Sequence, residues 1–393
     1  TGVNIHNYGF MKGQTVIDQL KIRVSYGQTG KVNFPPYVAR TTYKMFTDGW
    51  YKTGFGGTLY ALGNTNLTWE TTNTWDAGVE LSLWKRLLYI KASYYQKKTV
   101  DLVNSVTIPS STGFTTYMDN IGEVENKGYE LEFRSEVVRR KDLFVAVFAN
   151  LAHNENRILK ISESLKAYND RVKDHFANSN RFDGSNTQPF TQYVEGESQT
   201  SIWGVPSLGI DPATGKEVFL DLDGKMVYGW KAENQVVVGD KQPKLSGTFG
   251  FNFEYKGFSV NTSFYYKLGG QYYNQTLVDK VENVDIQYNV DKRVLDDRWT
   301  TPGVPAKYRR FNPNDALTRP TSRFVQDVRE LQMTSLNVGY DFRYCNFLKK
   351  SGIERLKLQF YMNDVFRTST IKAERGIEYP FARSCSFSLQ ATF

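Results

Sequence analysis

Apolar side chains recur at every second position over long stretches, a period that extended strands with two unlike faces satisfy and helices do not. In "KLSGTFGFNFEYKGFSVNTSFYYKLGG" (244–270), Leu245, Phe249, Phe251, Phe253 and Tyr255 are odd-numbered. Beyond Lys256-Gly257 the parity flips, and Phe258, Val260, Phe264 and Tyr266 are even-numbered. Two strands joined by a tight turn account for the flip, with the rings of both on one face. That face predicts lipid contact for Leu245, Phe249, Phe251, Phe253, Phe258, Val260 and Phe264. Ser246, Asn252, Glu254, Asn261 and Ser263 then face a wet interior.

The same alternation recurs along the chain. Leu20, Ile22, Val24 and Tyr26 oppose Lys21, Arg23 and Ser25; Trp75, Ala77, Val79, Leu81 and Leu83 oppose Asp76, Gly78, Glu80 and Ser82. Further runs hold Leu88–Tyr94, Tyr129–Phe133, Leu336–Phe342 and Leu356–Met362, and the last ends with Cys385, Phe387, Leu389, Ala391 and Phe393 on one face. Almost no segment has helical periodicity. Short turns (85–86, 139–142, 256–257, 344–353) alternate with long segments rich in Gly, Asn, Pro and Tyr (29–67, 105–123, 156–195, 269–323, 367–378). Short turns at one end and long loops at the other predict an all-β fold: a transmembrane antiparallel β-barrel with extracellular long loops. A soluble sandwich, propeller or solenoid also alternates. Structureless loops beyond roughly 12–15 residues are uncommon in compact domains, however, and charged residues at successive polar-face positions suit a wet lumen better. The stretch 193–230 contains the turn "DPATG" (211–215), with possible strands at 197–208 and 216–221. The chain supplies about twelve strands if that pair crosses the membrane, and about ten if it belongs to an outer loop.

Composition fits this reading. No run approaches the roughly 18–20 apolar residues of a membrane helix. The aromatic share of 15%, with 25 Tyr and 26 Phe, suits the girdles of a barrel. Two cysteines, Cys345 and Cys385, offer neither a disulfide framework nor metal-ligand spacing. The net charge is +8, but Lys and Arg are interspersed with Asp and Glu, so no nucleic-acid surface is expected. The sequence starts at Thr1 without methionine or signal peptide, as a mature chain or a fragment would.

Catalytic patterns are sparse. His6, His153 and His175 lack partners at metal spacing and read as exposed polar residues at strand ends or in loops. "DLDG" (221–224) starts like part of a calcium loop, but Phe219 and Trp230 stand where acids are needed. Asp296-Asp297 and the row Glu130, Glu132 and Glu136 read as solvated groups rather than acid–base pairs. With no nucleophile elbow, phosphate loop or dinucleotide fingerprint, no enzyme and no cofactor is expected. The aromatic segment 37–60 is different. Tyr37, Tyr43, Trp50, Tyr51 and Tyr60 lie among Gly and Thr, and Tyr272-Tyr273 are similar. Such rings suit partner docking or stacking on a sugar, and equally suit packing against neighbouring loops.

Several phrases, in order along nearly the whole chain, resemble the starch-utilisation-type (SusC/RagA) TonB-dependent transporters of the Bacteroidetes outer membrane. They include "GNTNLTWETTNTWDAGVEL" (63–81), "NIGEVENKGYELEF" (120–133), "GIDPATGKEVFLDLDG" (209–224), "DRWTTPG" (297–303) and "QFYMNDVF" (359–366). The resemblance implies a barrel of roughly 22 strands with a plugged lumen, of which residues 1–393 are the C-terminal part. It also implies that the remaining barrel, the plug and the TonB-contacting segment lie N-terminal to this chain. The implied partners are a SusD-like surface lipoprotein, the TonB complex through the plug, and outer-membrane lipid. The implied function is import of glycans or peptides; a passive porin or an adhesin barrel is the alternative, and an outer-membrane hydrolase finds no nucleophile set. Such barrels resemble one another in ending on Phe, so Phe387, Leu389 and Phe393 are expected to form an assembly signal.

Overall fold

The computed structural model describes residues 1–393 apart from 33–35, 52–53, 108–113, 115, 286, 288–290, 313, 346–347, 349–351 and 372–382, and apart from the side chains of 47–51, 55 and 106–107. The first part of the chain contains β1 (Gly2–Asn4), β2 (Ile17–Lys31), a hairpin of β3 (Thr42–Tyr51) and β4 (Gly54–Ala61), then β5 (Glu70–Leu83), β6 (Leu88–Thr107), β7 (Thr116–Arg139) and β8 (Leu143–Ile161). Helix α1 (Glu163–Asn178) and the short strands β9 (Ser201–Gly204), β10 (Ser207–Ile210), β11 (Glu217–Leu220), β12 (Met226–Val227) and β13 (Val236–Asp240) follow. The chain then forms β14 (Leu245–Tyr255), β15 (Phe258–Tyr273), β16 (Val325–Asp341), β17 (Arg355–Ser369) and β18 (Cys385–Thr392).

Eleven strands form one antiparallel meander in the order β1-β2-β5-β6-β7-β8-β14-β15-β16-β17-β18. The sheet does not close on itself; its order ends at β1 and β18. Parity read from the sequence matches the register, because opposite residues of an antiparallel pair share a face. Phe249 lies opposite Phe264 and Phe253 opposite Val260, while Asn252 lies opposite Asn261 and Glu254 opposite Ser259. The turn between them has φ of 44° at Lys256 and 90° at Gly257. Both values are positive, as a two-residue hairpin turn matched to strand twist requires. A Cβ on Gly257 would also stand 2.3 Å from the Asp341 carbonyl oxygen, so only glycine fits there.

Burial across this sheet is inverted relative to a soluble protein. Phe251 is 39% exposed and Tyr94 52%, whereas Ser82 on the opposite face is 4% exposed. The apolar face carries aromatic residues in two rows. At one level Tyr94, Tyr129 and His153 are successive cross-strand neighbours, and at the turn end Tyr255, Phe258 and Tyr340 are. The polar face carries charges of alternating sign in register: Lys21 opposite Glu80, Glu80 opposite Lys91, Lys91 opposite Glu132. Lys21 reaches Glu80 at 3.8 Å, and Arg23 reaches Asp76 at 3.3 Å. Opposite charges across a ladder stabilise the pairing by a few tenths of a kcal/mol each, roughly 0.2–1.

The buried apolar clusters instead sit in a lobe at the end of the sheet away from the short turns. Residues 162–244 and 274–324 build it, leaving the sheet between β8 and β14 and again between β15 and β16. One cluster joins Ile202, Tyr273, Val278 and Phe324; another joins Val172, Phe176 and Ala232, flanked by Phe190 and Trp230.

Several expectations need correcting. The segment 156–195 is not a loop: β8 continues to Ile161, and α1 follows. Ser162 caps this helix, its Oγ accepting from the Leu165 amide at 3.3 Å; Leu165 is buried against Ile121 of β7, while Val172 and Phe176 are buried against Ala232 of the lobe. Residues 116–123, inside the expected loop 105–123, belong to β7; the expected loop 29–67 contains the β3–β4 hairpin. Of the loops expected at 269–323 and 367–378, residues 269–273 belong to β15 and 367–369 to β17, while 372–378 lie outside the described residues. The strands of 193–230 stay outside the large sheet, which has eleven strands where about ten were expected without them.

Candidate functional site

Two surfaces carry polar groups in an order that could serve a ligand: the polar face of the sheet and the lobe above it. On the sheet, a cavity of 480 Å³ is lined by Lys91, Ser93, Glu130, Glu132, Arg134 and Thr248. Arg134 holds Glu132 at 2.7 Å, and Asn150 Oδ1 accepts from the Thr248 amide at 2.7 Å. Arg134 and Glu132 neutralise each other along β7, and Lys91 lies opposite Glu132 on the neighbouring strand. The wall can therefore hydrogen-bond a polar solute, or another polar surface, without favouring one sign of charge.

The lobe is held by a buried ion cluster. Arg323 sits between two acids, reaching Glu217 Oε2 at 2.9 Å and Glu282 Oε1 at 2.5 Å. Arg309 approaches Glu282 at 3.4 Å, and the Thr321 hydroxyl donates to Glu217 at 2.8 Å. Burial alone would draw the Arg323 guanidinium down, but the Glu217 and Glu282 carboxylates outweigh it and hold the group above its ordinary value. Arg309 goes the other way: burial outweighs its acids and lowers it. The Glu282 side chain is fully buried, so the cluster keeps its charges only because they meet one another.

Beside the cluster opens a cavity of 380 Å³ lined by residues that include Arg181, Lys216, Tyr228, Gly229, Trp230 and Arg319. Arg319 lies over the Trp230 ring at 5.0 Å and donates to the Phe176 carbonyl at 2.8 Å. Trp230 Nε1 donates to the Pro320 carbonyl at 2.9 Å, fixing its ring between the two halves of the lobe. The Tyr228 hydroxyl donates to Asp211 Oδ2 at 3.0 Å, and its ring remains 58% exposed. Asp211 also accepts from Thr214 Oγ1 at 2.6 Å, which closes the "DPATG" turn and holds its carboxyl below the usual range.

The aromatic residues singled out from sequence do not converge on this cavity. Tyr37, Tyr43 and Tyr60 are strongly exposed around the β3–β4 hairpin, and Tyr37 has a φ of 67°. The side chains of Trp50 and Tyr51 lie outside the described residues. Tyr272 is exposed at the end of β15, but Tyr273 is 6% exposed and packs on Phe324. Strand alternation sends the two rings to opposite sides, so Tyr273 is a core residue and presents no ring to a ligand. His153 lies within β8 rather than at a strand end, its ring 4.9 Å from Tyr129, and His175 lies on α1. Phe387 and Leu389 project from β18 on the apolar face, with Phe387 5.1 Å from Phe360, and Phe393 follows that strand. Sequence reasoning missed Lys216, Trp230 and Arg319. They lie far apart in the chain, and only the "DPATG" turn hinted that 209–230 was ordered.

Comparison with known proteins gives a consistent picture. The family described as TonB dependent receptor-like, beta-barrel matches residues 12–284. "TonB-dependent receptor P3" of Formosa agariphila is 28% identical over 375 residues, 90% of this chain and 35% of that protein. "TonB-dependent receptor SusC" of Bacteroides thetaiotaomicron is 33% identical over 174 residues, 41% of this chain and 17% of that protein. The chain thus spans about a third of the length of the first of these relatives. Among solved structures, the RagAB peptide transporter superposes with a TM-score of 0.76 at 20% identity, over 95% of this chain and 40% of that one. At that identity the likeness concerns the fold.

Proposed function

The chain belongs to the TonB-dependent receptor-like β-barrel family of outer-membrane transporters, and from that membership we propose that it forms the C-terminal part of a barrel importing nutrient oligomers, glycans or peptides, against their gradient. The observation that carries this reading is the inverted sheet: large apolar side chains exposed on one face, a charge-balanced polar wall on the other. Lipid would cover the first face, with its two aromatic rows at headgroup level, and the second would line the lumen.

On this reading residues 1–393 are one continuous barrel portion. The remaining strands and the plug belong to the rest of the polypeptide, and those strands pair with the edges at β1 and β18. An unpaired edge in lipid leaves backbone groups unsatisfied, at several kcal/mol each, so the portion functions only within the closed barrel. The lobe and the β3–β4 hairpin lie on the extracellular side, where Tyr37, Tyr43, Tyr60 and Tyr272 meet substrate or a SusD-like lipoprotein. A two-component arrangement is consistent with the name of the RagAB peptide transporter. Phe387, Leu389 and Phe393 serve insertion. Neutralised carboxylates along the wall suit solute passage, and no covalent step is assigned to them.

Uptake of fluorescently labelled oligosaccharides and oligopeptides by cells making the complete protein tests this. Import should stop when TonB is deleted or the proton gradient is collapsed. Uptake that continues under both conditions would replace this reading with a passive porin, and surface adhesion without uptake would replace it with an adhesin.

A further inference from the structure

Three of the cations lining the lobe cavity have no ion-pair partner among the described residues. Of its acids, Glu217 is engaged by Arg323 at 2.9 Å and Asp315 by Arg310 at 3.3 Å. Among the described residues, no carboxylate comes within ion-pair distance of Arg181, Lys216 or Arg319, although all three line the same 380 Å³. Arg319 is the telling member. Its guanidinium donates only to the Phe176 carbonyl and to Ser179, and burial draws it below its ordinary value with no acid to offset this. A protein that desolvates a guanidinium without an internal counter-charge has placed it where an external anion can supply one. Trp230 and Tyr228 add flat apolar surface beside the three charges. The volume lies at the lower end of small-ligand sites and matches one sugar ring or the end of a peptide.

We propose that this cavity is a subsite for a carboxylate-bearing unit of the transported oligomer, gripped by Arg181, Lys216 and Arg319 against Trp230. The proposal rests on the import reading and narrows its substrate class to acidic oligomers. The carboxylate can come from a uronate of a saccharide or from the acidic end of a peptide.

The test is titration calorimetry on the purified complete transporter with trigalacturonate, its full methyl ester, the tripeptide Ala-Ala-Glu and the C-terminal amide of Ala-Ala-Gln, which has no carboxylate. One of the two acids should bind at least about tenfold more tightly than its neutral counterpart, and the one that does names the source. Lys216→Gln and Arg181→Gln should each weaken that binding about five- to tenfold, as loss of a charge-assisted contact does. In both variants the barrel should keep its heat-modifiable gel mobility. Equal affinity for acid and neutral forms, no binding of either acid at millimolar concentration, or unchanged affinity in both Lys216→Gln and Arg181→Gln overturns the proposal. If cellular uptake stays TonB-dependent through any of these failures, the import reading survives and the subsite alone falls. Uptake that is independent of TonB removes the import reading itself.

Discussion

Phe249 and Phe264 face each other across the β14–β15 pair with ring centroids 5.0 Å apart and planes within 9° of parallel. Stacking of this kind supports a strand pair by about 0.5–1.5 kcal/mol beyond the area it buries. Here the pair lies on the sheet's outward face, with Phe249 still 38% exposed. The rings fix register from the side that water would penalise, which makes sense when hydrocarbon is the solvent.

Neighbouring positions on β14 should therefore report different solvents. After Cys345 and Cys385 are replaced by Ser, single spin labels at 251 and 252 of the complete protein in bilayers are compared. The label at 251 should collide several times more often with oxygen than with a water-soluble nickel chelate, and 252 should show the reverse. Equal ratios at the two positions would rule out a lipid face.

Removing Arg323 should loosen the lobe and spare the sheet. Arg323→Met leaves Glu217 buried without a cation and Glu282 with Arg309 alone, a change of about 3–5 kcal/mol for a broken buried pair. Hydrogen exchange should rise across 201–204 and 275–282, with β14 and β15 unchanged. Arg323→Lys keeps the charge but cannot span both acids, and should fall between. Unaltered protection in Arg323→Met would mean the ion cluster holds nothing in place.

Deleting residues 40–58 removes most of the β3–β4 hairpin and no bond of the eleven-stranded ladder, since β3 and β4 pair only with each other. Barrel assembly should be normal and oligomer uptake or lipoprotein binding reduced at least severalfold. Normal uptake and binding in the deletion would free Tyr43 and its neighbours of any contact role.

Strand β18 offers a contrast between adjacent positions. Phe387→Asp places a carboxylate on the outward face beside Phe360, which should cost roughly 1–4 kcal/mol in a barrel, depending on depth. Ser386→Asp, on the other face, should be tolerated. Membrane-fraction yield and heat-modifiable mobility distinguish the two; equal insertion would argue against a lipid-facing role for Phe387.

Much of this architecture was legible because a strand's two-residue period ties face to parity, so Phe253 and Val260, or Asn252 and Asn261, could be paired from numbering alone. The strands proved longer than their alternation. Around Asn120 and Glu123 on β7 the polar character continues on both faces, so the sequence signal stops while the backbone ladder runs on to Thr116. Helix α1 escaped notice because its apolar stripe holds only Leu165, Val172 and Phe176 among charged residues. What makes that stripe sufficient is contact with Phe190, Trp230 and Ala232, none of them adjacent in sequence. Tyr272 and Tyr273 stayed open between contact and packing for a related reason: nothing local tells which of two consecutive rings meets Ile202 and Val278.

The lobe is made of two chain segments separated by the β14–β15 hairpin, and its ties run between them. Arg319 bonds the Phe176 carbonyl, Trp230 the Pro320 carbonyl, Thr321 and Arg323 the carboxylate of Glu217, and Val205 bridges to Thr321. Neither segment carries a complete set of partners. A recombination event or a laboratory graft that exchanges 162–244 alone would bring in half an ion cluster and strand the other half. The lobe therefore exchanges intact only when 162–324 moves as one piece with the β14–β15 hairpin inside it, and chimaeras between relatives should be cut at its outer borders.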